Sequence, residues 1–125
     1  MPDAKLESRR ILVVEDSPVI AVVLEDMLQD FGCVVVGPAG NMAVALELAA
    51  SDDIDAAILD INIRGGKIYP VATMLADRDV PFLLASGYAD WTLPPELMDR
   101  PRLVKPFSAE DVEQKLAELL RRDAQ

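Results

Sequence analysis

The chain has 125 residues, 51% of them apolar, a formal charge of −10 and no histidine. This is the size and composition of one domain with a real core, not of a disordered chain. The charge, with no basic cluster beyond Arg9-Arg10 and Arg121-Arg122, argues against nucleic acid and anionic membrane as direct partners; the missing histidine removes Ser-His-Asp and Cys-His catalysis, histidine-ligated zinc and phosphohistidine carriers.

Residues 1–9 are polar and read as a short tail, which leaves 10–125 as the domain. Arg10 to Glu15 is too apolar to alternate, so it reads as a strand covered on both faces. Ser17-Pro18 opens a helix, with Asp16 or Ser17 at the cap and Pro18 in the first turn. Its stripe is Ile20, Val23, Leu24, Met27, Leu28 and Phe31, and Gly32 stops it. Cys33 to Val36 is a second strand ended by Gly37-Pro38, and Cys33 itself reads as a small hydrophobe. Asn41 is placed to cap a helix with the stripe Met42, Ala45, Leu46 and Ala49.

Asp55 to Asp60 is a third strand, followed by a loop, Arg64-Gly65-Gly66-Lys67. Tyr69-Pro70 leads into a helix that turns Val71, Met74 and Leu75 inward. Val80 to Ala85 is a fourth strand. In the stretch from Gly87 to Pro101, Pro94-Pro95 allows only a short helix around Glu96 to Asp99. Few periodic apolar anchors appear between Gly87 and Arg100, so mobility is expected there. Arg102 to Val104 is a fifth strand, and Ser108 with Asp111 starts a last helix in the manner of a capping box. Its stripe is Val112, Leu116, Leu119 and Leu120.

Alternating strands and helices with right-handed crossovers imply an α/β fold. The expected form is a five-stranded parallel sheet of order 2-1-3-4-5 with helices on both faces, a flavodoxin-like arrangement whose ligand crevice lies between strands one and three. No apolar stretch approaches a membrane span and no signal peptide is visible, so a cytoplasmic setting is expected.

The chemistry sits at the strand ends. Glu15-Asp16 follow strand one, Asp60 closes strand three, Ser86 follows strand four and Lys105-Pro106 follow strand five. Converging carboxylates repel each other unless one takes a proton or a cation intervenes. Mg²⁺ suits an oxygen-only donor set and keeps several waters, so few side chains suffice. Asp16 and Asp60 are candidates for direct contact, Glu15 for contact through water, and the Asn62 carbonyl for completing the shell. A carboxylate is also a nucleophile toward phosphorus. Lys105 would then supply a point charge to the phosphoryl oxygens and Ser86 a hydroxyl hydrogen bond. The Lys105-Pro106 bond is of the kind that can be cis, which would turn the ammonium into the crevice.

The pattern Val14-Glu15-Asp16, Asp60, Ser86 and Lys105-Pro106-Phe107 resembles the receiver domain of two-component response regulators, from about Arg10 to Arg121. The resemblance implies that Asp60 accepts a phosphoryl group from a sensor histidine kinase. It makes Glu15, Asp16, Asp60 and the Asn62 carbonyl the magnesium site, and has Ser86 and Lys105 drawn toward the phosphate. A domain of this kind is a regulatory switch rather than an enzyme. Nothing follows the last helix, so the chain resembles a stand-alone receiver, with a possible downstream protein target. Receivers usually carry proline and glycine four and eight residues after the acceptor, where this chain has Arg64 and Ile68. They carry an aromatic switch residue three before the lysine, where this chain has Arg102. The segments Leu84-Ala85-Ser86-Gly87-Tyr88 and Tyr69-Pro70-Val71-Ala72 are similar to a single-domain subfamily with a Phe-Ala-Thr-Gly-Tyr motif, often paired with HWE-class kinases. Tyr88, or a rearrangement at Pro94-Pro95, would then replace the aromatic switch.

Two other readings compete. One is a small phosphatase using the same aspartate. That class places a second acid two residues after the nucleophile, where this chain has Asn62. The other is a degenerate receiver that binds a protein without phosphorylation, against which the full set of charged groups argues.

Overall fold

A computed structural model describes residues 6–51, 53–87 and 93–123. Five parallel strands form the sheet: β1 (Arg10–Val14), β2 (Val34–Ala39), β3 (Ala56–Asp60), β4 (Phe82–Ser86) and β5 (Arg102–Val104), in the order β2-β1-β3-β4-β5. The expected order and fold class are therefore observed. Ile11 lies beside Ala56, Asp60 beside Ala85, and Ser86 beside Val104, so the C-terminal ends of β1, β3 and β4 come level along one edge.

The pleat splits the apolar runs between two cores. Leu12, Val14, Ala57, Leu59, Phe82 and Leu84 face α2 (Met42–Ser51) and α3 (Tyr69–Asp77). Ile11, Val13, Ile58, Leu83, Ala85 and Leu103 face α1 (Pro18–Asp30) and α4 (Ala109–Asp123). All of these residues are buried, which is why the strands show no alternation in sequence. The caps match their signals. Ser17 Oγ accepts from the Ile20 N–H, Asn41 Oδ1 from the Val44 N–H at 2.9 Å, and Ser108 and Asp111 bond reciprocally at 3.0 and 3.1 Å.

Several details differ from the sequence reading. Leu6 is fully buried, and Cys33 Sγ meets its carbonyl at 3.3 Å, so the folded unit reaches back into the stretch read as tail. Strand β2 does not stop at Gly37-Pro38 but runs to Ala39, because Gly37 at φ +96° absorbs a bulge between Leu12 and Val14 of β1. A Cβ at Gly37 would sit 2.8 Å from the Ala39 nitrogen. Val23, placed in the α1 stripe, is 43% exposed, and Ala21 is buried in its stead.

The stretch 62–67 is not an irregular loop. Asn62–Ile63 and Gly66–Lys67 pair as a two-stranded antiparallel ribbon across an Arg64-Gly65 turn. Gly65, at φ +103°, lies where a Cβ would meet the Met42 Cβ at 2.8 Å, and the Met42 N–H donates to the Arg64 carbonyl at 2.8 Å. The ribbon is thus fastened to the start of α2. After Gly87 the described chain resumes at Leu93, and the short helix expected around Glu96 to Asp99 is a 3₁₀ turn over Pro95–Leu97. Leu93 and Leu97 are both buried, two anchors that the spacing did not reveal. Tyr88 lies outside the described residues.

Candidate functional site

Strand β1 ends as its ladder with β2 shifts, and the chain turns into α1 at Ser17. Glu15 is carried there into a nearly closed position, 3% exposed, where its Oε2 accepts the Ser17 N–H at 3.1 Å. Asp16, half-buried, follows it. Strand β3 carries Asp60 to the same edge, 8% exposed. Carboxylate oxygens of Glu15, Asp16 and Asp60 lie within 4.8 Å of one another.

Lys105 enters from the end of β5, its peptide bond to Pro106 being cis. Its Nζ stands 2.9 Å from Glu15 Oε1 and 3.2 Å from Asp60 Oδ2. The sequence turned the ammonium into the crevice toward a phosphoryl group; within the crevice its shorter contact is to Glu15. Asp60 Oδ1, the other oxygen, accepts the Asn62 N–H at 3.2 Å. The Asn62 side chain is in turn held by Lys67 Nζ from the opposite strand of the ribbon. Lys67 was not singled out from sequence, where a lysine after two glycines has no signal beyond loop chemistry. Ser86 is 2% exposed at the end of β4, and its hydroxyl donates to the Gly87 carbonyl at 3.3 Å. Arg102, at the aromatic position, donates to the Met98 carbonyl at 3.2 Å and so ties β5 to the 95–100 segment.

The electrostatics follow from crowding. Burial, then the Glu15 charge, pushes the Asp60 carboxyl up to about 6, against the pull of Lys105. Burial pulls the Lys105 ammonium down, but its bond to Glu15 and the charges of Asp60 and Glu15 outweigh that, and it ends above the ordinary lysine value. Among the described residues one cation thus faces three clustered acids, a donor set of hard oxygens with charge left over. That set fits a divalent cation such as Mg²⁺, which would offset both the burial and the Glu15 charge that raise Asp60.

A family model for the response regulator receiver domain matches residues 11–117. The chain belongs to that family. Receiver domains work mainly as regulatory switches in two-component signalling, pair with histidine kinases and bind Mg²⁺ at this acidic edge. This receiver domain is 32% identical over 112 residues to the transcriptional regulatory protein PdtaR of Mycobacterium tuberculosis, an alignment covering 83% of the chain and 53% of PdtaR. The chain therefore spans about half the length of the curated relatives it matches. It is 44% identical to SdrG from Sphingomonas melonis Fr1, with TM-score 0.79 over 92% of this chain and 98% of that one. Against the BeF3-activated conformation of SdrG, from Pseudomonas melonis Fr1, the identity is 47% and the TM-score 0.75, over 89% and 95% of the two chains. The receiver domain of the Pseudomonas aeruginosa sensor kinase PA1611 holds a magnesium ion in its active-site cleft; at 22% identity, TM-score 0.77 and coverage of 91% and 98%, it shares the fold. Among the described residues no helix is long and apolar enough to cross a membrane.

Proposed function

We propose that this receiver domain accepts a phosphoryl group on Asp60 from a sensor histidine kinase, as a switch or phosphate sink in a phosphorelay. An Asp60 carboxylate oxygen attacks phosphorus and forms an acyl phosphate, while the bond from phosphorus to the donor nitrogen of the kinase breaks. Lys105 neutralises charge on the transferred group, and Ser86 turns its hydroxyl from Gly87 to a phosphoryl oxygen. Glu15, Asp16, Asp60 and the Asn62 carbonyl would hold Mg²⁺, which supplies the charge neutralisation that three acids and one lysine lack. The observation that carries the reading is Lys105 Nζ at 3.2 Å from Asp60 Oδ2, within a nest of carboxylates.

The folded unit is taken to begin at Leu6, and the site to be used in the cytoplasm, where a buried free thiol such as Cys33 stays reduced. The likeness of its Tyr69-Pro70-Val71-Ala72 and Leu84-Ala85-Ser86-Gly87-Tyr88 segments to the Phe-Ala-Thr-Gly-Tyr subfamily supports an HWE-class kinase as donor. The charge of −10 supports a protein as downstream target rather than nucleic acid or membrane.

Acetyl phosphate with Mg²⁺, read by intact mass, tests the reading. One labile phosphoryl adduct is expected, absent in Asp60→Asn and without Mg²⁺. An adduct that persists in Asp60→Asn, or many turnovers of a phosphate ester, overturns it. No adduct, together with no response to beryllium fluoride, assigns the chain to phosphorylation-independent binding instead.

A further inference from the structure

The contact between Lys67 and Asn62 has no part in the proposed transfer, yet it falls on the same residue whose N–H supports the Asp60 carboxylate. Asp60 Oδ1 is fixed by a single described bond, the Asn62 N–H at 3.2 Å, while Oδ2 faces Lys105 at 3.2 Å. The orientation of the carboxylate therefore depends on where the Asn62 backbone sits. Asn62 belongs to a two-residue strand, Asn62–Ile63, which among the described residues pairs only with Gly66–Lys67. Such a ribbon has little stability of its own. Two features fasten it. At the turn, Arg64 is bonded to α2 and Gly65 is packed under Met42. At the open end, next to Asp60, the Lys67 ammonium holds the Asn62 amide oxygen. Lys67 is exposed, and makes no salt bridge within 4.0 Å among the described residues.

We propose that Lys67 is a positioning residue for the Asp60 carboxylate: by holding the Asn62 side chain across the ribbon, it keeps the Asn62 N–H on Oδ1 and leaves Oδ2 to face Lys105. The inference rests on the phospho-acceptor reading for its use, but the clamp itself can be measured apart from that use. It acts through Asn62, never on the phosphoryl group. A charge-assisted hydrogen bond is stronger than a neutral one, and its loss frees the short strand rather than the core.

The test compares Lys67→Met, which keeps the aliphatic stem, with Lys67→Arg, which restores the cation and donor. In metal-free protein, amide exchange at the Asn62 N–H is expected to quicken roughly threefold to tenfold in Lys67→Met and to return toward the wild-type rate in Lys67→Arg. The Mg²⁺ dissociation constant, followed by chemical shifts, is expected to rise by about the same factor. The melting temperature should stay at the wild-type value, since Lys67 lies outside both cores. Measurements at low and at 0.5 M salt, roughly the range over which surface charges become screened, separate the clamp from a bare charge effect. An effect that survives high salt is expected; one that vanishes, or unchanged Asn62 exchange in Lys67→Met, overturns the proposal. Failure of wild-type protein to form the Asp60 adduct would strike the functional reading, while the exchange rate would still decide the clamp.

Discussion

Asp60 is held in the fold at an energetic cost. Its carboxyl, ordinarily near 3.8, stands at about 6 because burial and Glu15 disfavour its charge more than Lys105 favours it. The folded state therefore holds this proton more tightly than the unfolded chain does. Between about pH 4 and pH 6 Asp60's contribution to stability falls as pH rises, and above that window its whole penalty is present. Asp60→Asn removes it. In EDTA the variant is expected to exceed the wild type by about 3 kcal/mol at pH 8 and by only about 1 kcal/mol at pH 4.5. Urea melts at the two pH values measure this, and equal stability at pH 8 would contradict the crowding described here. Lys105 acts in the opposite sense. Its raised value means its contribution is present throughout the neutral range and is lost only above the ordinary lysine value.

At the scale of elements, the 3₁₀ turn between β4 and β5 is a thin connection that closes one end of the α2–α3 core. Leu93 and Leu97 reach into that core, Arg102 holds the Met98 carbonyl, and the Arg100 guanidinium lies 4.6 Å over the Phe82 ring. Leu97→Ala deletes one of the two buried anchors and is expected to cost about 2–3 kcal/mol, with faster amide exchange confined to 93–101 in addition to the global loss. Chemical denaturation with hydrogen exchange checks both parts. These anchors were not legible beforehand, because two leucines flanking a proline pair show neither helical nor strand spacing. Leu6 escaped for a related reason: a single apolar residue in a polar stretch carries no period. The ribbon escaped because two-residue strands are too short to alternate and its glycines read as loop. The long elements were legible. The fully apolar strands, the caps at Ser17, Asn41 and Ser108, and the α4 stripe each have a local cause that survives in the fold. The site was legible for a topological reason, since residues at the C-terminal ends of parallel strands must meet whatever joins them. What the topology could not convey was which oxygen Lys105 prefers, because that is decided by side-chain reach across the crevice.

For the whole molecule, the charge balance links the site to stability. A chain at −10 concentrates three acids at one edge against one lysine, and a phosphoryl group would add roughly 1.5 to 2 further negative charges there. The folded state should bind Mg²⁺ where the unfolded chain does not, so the metal should stabilise by mass action. At a hundredfold excess over its dissociation constant the gain is about 2.7 kcal/mol, which for a domain of this size is a rise of about 10 °C in melting temperature. A diffuse effect of salt on so acidic a protein would also raise the melting temperature, but K⁺ at matched ionic strength would reproduce it. Site binding predicts a rise with Mg²⁺ beyond the K⁺ control, reversal by EDTA, and a much smaller rise in Asp60→Asn, which keeps the net charge within one unit while removing a ligand. Thermal melts of the two proteins in the two salts measure the difference. Equal rises across all four conditions would mean that the carboxylate nest is neutralised by the ionic atmosphere rather than by a bound cation, and the three acids would then lose their place in the proposed transfer.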